Sequence, residues 1–119
     1  MGNFKELKDW KISLELVKEV YKLTHEDRFS KDYGLKDQIR RAAVSVPSNI
    51  AEGDQLNTQK QSIQYFHIAR GSLAEVQTQL IIAKELNYIS TDTLVQMENK
   101  CEILSGMITN LIKHRTKNP

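Results

Sequence analysis

RRAAVSVPSNIAEG, Arg40 to Gly53, decides how this chain folds. It reads as helix on both sides of a proline, yet it holds little but small side chains around that proline. We placed residues about 100° apart on a helical wheel counted from Leu35. Leu35, Ile39, Ala42, Ala43, Val46 and Ile50 then fall within about one quarter of the circle, the side that faces a bundle core. Gln38, Arg41, Ser45, Ser48, Asn49 and Glu52 gather on a second face, and Lys36, Arg40, Val44, Pro47 and Ala51 on a third. Ser and Asn compete with the helix for backbone hydrogen bonds, and a proline inside a helix costs about 3 kcal/mol. Pro47 predicts a kink. Close approach of a second helix offsets such costs, with hydroxyls serving carbonyls freed at the kink.

Working outward, apolar residues recur at helical spacing on both sides. The first helix spans Phe4 to Thr24, with Leu7, Trp10, Leu14, Val17 and Tyr21 as its seam. HEDRFSKDYG, His25 to Gly34, breaks the pattern and reads as a polar loop. The second helix runs from Leu35 to Asp54, with Gly53 as a left-handed residue at its end. Thr58 with Gln61 resembles a capping box opening the third helix, which continues to Leu86 on a seam of Phe66, Ala69, Leu73, Val76, Leu80 and Ala83. After the turn NYIS, the fourth helix runs from Thr91 to Lys113. Its seam is Leu94, Met97, Cys101, Leu104, Ile108 and Leu111 in heptad register, and RTKNP follows as a frayed tail. Four long helices with short connections predict an all-α fold, an antiparallel up-down four-helix bundle occupying residues 1–119 as a single domain.

A turn centred between Gln55 and Leu56 sets Ala42 and Ala43 level with Ala69 and Ile68, and Arg40 and Ile39 level with Gly71 and Ser72. Small patches then face each other, and Arg41 comes within reach of Glu75. A partly buried Arg41–Glu75 pair is the expectation.

The composition bounds the function. With 119 residues the chain buries a core without staples, and its single cysteine excludes an internal disulfide framework. That cysteine usage fits a reducing cytoplasm. MGNFKELKDW lacks the apolar stretch of a signal peptide, and no apolar run is long enough to span a membrane. A net charge of +2 only hints at an anionic partner. The calculated pI of about 8.7 falls below that of a dedicated nucleic-acid domain.

Catalytic chemistry finds no support. His25, His67 and His114 are dispersed, with no ligand-spaced partner, so neither a metal nor another cofactor is expected. Cys101 lies on the seam and reads as a small hydrophobe. Ser45 and Ser48 have no neighbouring histidine, and no glycine-rich phosphate loop exists. Lys36, Arg40, Arg41 and Arg70 form a candidate nucleic-acid site, which a ring of subunits would multiply. The competing reading pairs Arg41 and Arg70 with Glu75, Glu52 or a neighbouring subunit. Lys84, Lys113, Arg115 and Lys117 read as a second patch or a solvated tail. Further stripes, Ile12, Leu16, Val20 and Leu23 in the first helix and Tyr65, Ile68, Ser72, Gln79 and Ile82 in the third, suit an interface between copies, although a wider stripe also covers more core.

YGLKDQIRRAAVSVPSNIAEG followed by IARGSLAEVQTQL resembles the bacterial four-helix-bundle proteins encoded in intervening sequences of 23S ribosomal RNA genes. The resemblance extends from Phe4 to Leu111, and its most specific block is Ser45, Pro47, Ser48, Asn49, Glu52 and Gly53, with Glu75 downstream. After AEG the family tends to carry an arginine-like residue, where this chain has DQLNT. The resemblance implies a ring-like homopentamer and no catalytic activity. It also implies kinship with the accessory protein of diversity-generating retroelements, a pentamer that works with a reverse transcriptase and its RNA. Together these readings describe a cytoplasmic, non-enzymatic homo-oligomer that binds structured RNA or DNA through basic residues. The alternative is an adaptor that binds a partner protein and no nucleic acid.

Overall fold

A computed structural model describes residues 3–56 and 58–117, the last by its backbone alone. A 3₁₀ turn at Phe4–Glu6 precedes five helices: α1 (Lys8–Thr24), α2 (Asp27–Lys31), α3 (Tyr33–Gln55), α4 (Gln59–Glu85) and α5 (Thr91–Lys117). No strand occurs among the described residues. The four long helices form an elongated bundle measuring 47 × 21 × 20 Å. α3 packs most extensively on α4 and next on α1, α4 packs on α5, and a thinner α1–α5 seam closes the circuit.

Local chemistry sets the helix ends. Asp32 caps α3 by accepting from the Leu35 amide at 3.1 Å, and Thr58 caps α4 by accepting from the Gln61 amide at 3.3 Å. Ser90 serves α5 through the Thr93 amide. α4 closes in a Schellman motif. Asn87 takes φ 62° while its amide bonds the Lys84 carbonyl, and the Tyr88 amide bonds the Ala83 carbonyl.

The core follows the expected faces of α3 and α4. Ile39, Ala42, Ala43, Val46 and Ile50 meet Phe66, Ala69, Leu73, Val76, Leu80 and Ala83, all buried. α5 adds Met97, Cys101, Leu104, Ile108 and Ile112. Each fully buried Ile, Leu or Phe contributes about 1.5–3 kcal/mol, so this array dominates the stability.

Four expectations are corrected. The first helix is interrupted at Leu7, which is extended, and α1 starts at Lys8. α1 turns Ser13, Leu16, Val20 and Thr24 inward, whereas Tyr21 is exposed and Leu14 and Val17 are half-buried. The Ser13 hydroxyl donates to the Trp10 carbonyl and the Thr24 hydroxyl to the Val20 carbonyl, so both enter the core already paired. The stripe of Leu16 and Val20 is therefore core and not a spare face. Segment 25–34 contains α2, because Phe29 is driven into the core at 1% exposure and pulls a helical turn with it. α5 continues past Lys113, and Arg115 is anchored in the bundle rather than frayed. The Lys117 side chain and residues 118–119 of that tail, like Asn57 of the α3–α4 connection, lie outside the described residues.

Candidate functional site on the α3–α4 face

The small-residue stretch of α3 is sandwiched. Pro47 is buried along with the core residues, and α1 packs along α3, where Thr24 meets Arg40. On the opposite side the Ser45 hydroxyl meets the Ser72 hydroxyl of α4 at 2.8 Å. Asn49 Nδ2 donates to the Ser45 carbonyl at 2.7 Å and to Ser45 Oγ at 2.9 Å. These side chains clamp two helices together. Ser45 facing Ser72 also replaces the expected register, in which Ile39 was level with Ser72, since α3 runs to Gln55 before the chain turns. Ser48 and Glu52 point to solvent.

Gly53 does not adopt a left-handed conformation, and its role is contact. A Cβ there would lie 2.6 Å from Phe66 Cε1 and 3.0 Å from the Ser62 carbonyl oxygen. Only a glycine allows α4 to approach this closely.

Beyond the serine clamp, two adjoining concavities of about 320 and 330 Å³ run along the α3–α4 face, sharing Gln38, Glu75 and Gln79. Their walls include the short side chains Ala42, Ser45, Gly71, Ser72 and Ala74. Gln79 is 8% exposed, and its Oε1 accepts no hydrogen bond among the described residues. A buried acceptor left in this state costs about 1–3 kcal/mol. Ile68 and Ile82 lie exposed on the same helix. A Cβ at Gly71 would meet nothing within 4 Å, so the groove is open there.

The four basic candidates are not gathered on one face. Arg41 pairs with Asp37 one turn back at 2.9 Å, both well exposed, and the expected Arg41–Glu75 pair is absent from the described ion pairs although both residues line the groove. The same-helix partner wins because it requires no reach across the groove. Arg40 faces α1: its Nε donates to Thr24 Oγ1 at 2.8 Å, and its guanidinium stacks 4.3 Å from the Tyr21 ring centroid. Arg70 turns toward α5, donating to Thr109 Oγ1 at 3.1 Å, with His67 Nδ1 3.0 Å away. Lys36 sits 5.0 Å from the Tyr33 ring centroid.

Known proteins place this architecture. The family described as 23S rRNA-intervening sequence protein matches residues 5–110. The chain belongs to that family. Its fold is similar to that of a crystal structure from Bacteroides thetaiotaomicron, described as a protein of unknown function from the S23 ribosomal protein family. The TM-score is 0.81 at 22% identity, covering 88% of this chain and 98% of the other. No curated protein matches. The family description names no enzymatic activity.

One feature of this intervening-sequence family member escaped the sequence reading. Arg115 reaches back from the end of α5 to Asp54, whose side chain is 1% exposed, at 2.5 Å. The guanidinium also lies 5.4 Å from the Phe66 ring centroid. Gly53, Phe66, Asp54 and Arg115 thus lock one end of the bundle. The signal was available, since the α5 heptad seam extended one step past Leu111 lands on Arg115.

Cys101 is fully buried and free. Burial, and then the nearby Glu98, Glu102 and Glu19 carboxylates, push its thiol up to about 12. Such a thiol is not a nucleophile at neutral pH. No group of three or more His, Cys, Asp or Glu that could hold a metal ion is found among the described residues. Nor is any helix there long and apolar enough to cross a membrane.

Proposed function

We propose that this protein is a non-enzymatic scaffold that assembles with copies of itself through the α3–α4 face. The observation that carries the reading is the groove along this face, walled by the short side chains Ala42, Ser45, Gly71, Ser72 and Ala74. A helix from a second copy fits such a wall closely, because short side chains let two helices pack at small separation. Exposed Ile68 and Ile82 supply apolar area beside it. The five-membered ring implied by the family resemblance is the proposed stoichiometry, with α3 bent at Pro47. The proposed setting is the cytoplasm, in keeping with a free buried cysteine.

The assembly also binds structured RNA or DNA in this reading. Family membership and the +2 charge support it, since a ring multiplies a small excess of cations. Light scattering on the purified chain over a tenfold concentration range tests assembly; a monomer throughout rejects it. Titration of labelled RNA at low and moderate salt tests nucleic-acid binding, with steep salt dependence expected. Absence of binding at low salt removes that part and leaves a protein-only scaffold.

A further inference from the structure

At the opposite end of the molecule from the Asp54 lock, α2, the start of α3 and the α4–α5 turn enclose an open concavity of about 580 Å³. It is lined by Arg28, Lys31, Asp32, Tyr33, Gly34 and Tyr88. Tyr33 is 73% exposed, more than any other exposed large hydrophobic side chain among the described residues. An aromatic ring held that far into solvent on a well-formed helix does no work in the core.

The opposite wall is rigid. The Schellman turn presents Tyr88, whose ring packs 5.5 Å from that of the buried Phe29. Its hydroxyl donates to Asp32 Oδ2 at 3.0 Å, and that hydrogen bond to the carboxylate raises the phenol pKa. Asp32 Oδ1 meanwhile accepts from the Leu35 amide. Both oxygens of the only carboxylate in the lining are therefore occupied by donors. Arg28 and Lys31 take part in none of the ion pairs among the described residues. The Arg28 guanidinium lies 5.5 Å from the Tyr88 ring centroid, and Lys36 stands over Tyr33. Glu26, Asp27, Asp37, Glu85 and Asp92 are the nearest further carboxylates in sequence; Asp37 is held by Arg41, and none of the five lines the concavity.

An exposed ring and two cations outside the described ion pairs, around one hollow, form a complementary surface for an aromatic base linked to phosphate. Stacking needs an accessible base face, which a duplex hides and an unpaired nucleotide offers. We propose that this corner binds an unpaired nucleotide of a single strand or loop, with its base on Tyr33 and its flanking phosphates against Arg28 and Lys31. The inference rests on the nucleic-acid part of the proposed function and moves its site from the α3 arginines to this corner.

Fluorescence anisotropy on the full chain tests it, with a labelled single-stranded RNA of about 12 nucleotides, the matching duplex, and inorganic phosphate and a mononucleotide as competitors. Wild type should bind the single strand more tightly than the duplex. Tyr33→Ala should weaken binding about fivefold or more with an unchanged salt slope, because stacking is not ionic. Arg28→Ala with Lys31→Ala should weaken binding and flatten the slope of log affinity against log salt by about 1.4, for two phosphate contacts on a single strand. The mononucleotide should compete better than phosphate. All three side chains are exposed, so the variants should unfold with wild type. Wild-type binding that none of these substitutions changes overturns the corner while leaving the nucleic-acid reading standing, as does duplex preference. Phosphate competing as well as the mononucleotide overturns the stacked base. No binding by wild type at low salt overturns both.

Discussion

Replacing Arg115 with Met should destabilise the bundle far more than a residue near the chain end ordinarily does. Asp54 is 1% exposed at its side chain, one oxygen bonds Arg115, and Oδ2 has no partner among the described residues. Without the guanidinium, a buried carboxyl group is left with neither oxygen partnered among the described residues. Breaking a buried pair in this way costs about 3–5 kcal/mol. For 119 residues, an unfolding entropy of about 0.25 kcal/mol/K converts this to a fall in Tm of about 12–20 °C. The reverse change, Asp54→Asn, leaves Arg115 at 21% side-chain exposure, able to reach water, so its cost should be about 1–3 kcal/mol. Thermal and urea unfolding followed by far-UV circular dichroism, at one protomer concentration, measures both. The double variant should lose less than the two single losses added. A loss below about 1 kcal/mol for Arg115→Met, or equal losses for both single variants, would show that the pair does not hold this end together.

Other consequences follow from single contacts. Gly53→Ala should destabilise by about 1–3 kcal/mol despite the better helix propensity of alanine, because its Cβ meets Phe66 at 2.6 Å; denaturant titration reads the sign. Cys101 should react with a thiol reagent only as fast as the chain unfolds, so raising pH within the folded range should not accelerate labelling beyond the opening rate. Asp9 has its pKa raised by burial, so its contribution to stability is present below the ordinary carboxylate pKa of about 3.9 and lost as pH rises through the folded value. Asp9→Asn should therefore gain stability over wild type at neutral pH, and the difference should vanish near pH 3 in a pH series of unfolding curves.

The sequence revealed the helices that are buried along one clean stripe. α4 carries Phe66, Ala69, Leu73, Val76, Leu80 and Ala83 in unbroken steps of three and four, and that regular stripe marked its inward face although Ile68, Ile81 and Ile82 stay exposed on the other side. α1 carries aliphatic residues on two faces, and its core contacts include Ser13 and Thr24. Their hydroxyls bond carbonyls of their own helix, which no apolar pattern can display. Phe29 stood alone among charges, so its burial and the helical turn around it depended on a hollow formed by distant elements. The site was harder still. Arg41, Arg40 and Arg70 are near one another in the predicted helix pair, but each found a partner on a different helix or on its own. Long side chains choose among several nearby acceptors, and a helical wheel fixes only where they start.

The central claim, that the α3–α4 groove is covered by another copy of the chain, is tested most directly at Gly71. Nothing lies within 4 Å of a Cβ there, and glycine weakens a helix by about 0.8–1.0 kcal/mol relative to alanine. Gly71→Arg should therefore leave the helices intact, while its side chain projects into the groove that a neighbour would fill. Light scattering on wild type and Gly71→Arg at matched concentration, with circular dichroism on the same samples, is the decisive measurement. The expected result is an oligomeric wild type and a helical Gly71→Arg chain of lower mass. An unchanged oligomer in Gly71→Arg, or a wild type that is already monomeric, would contradict it.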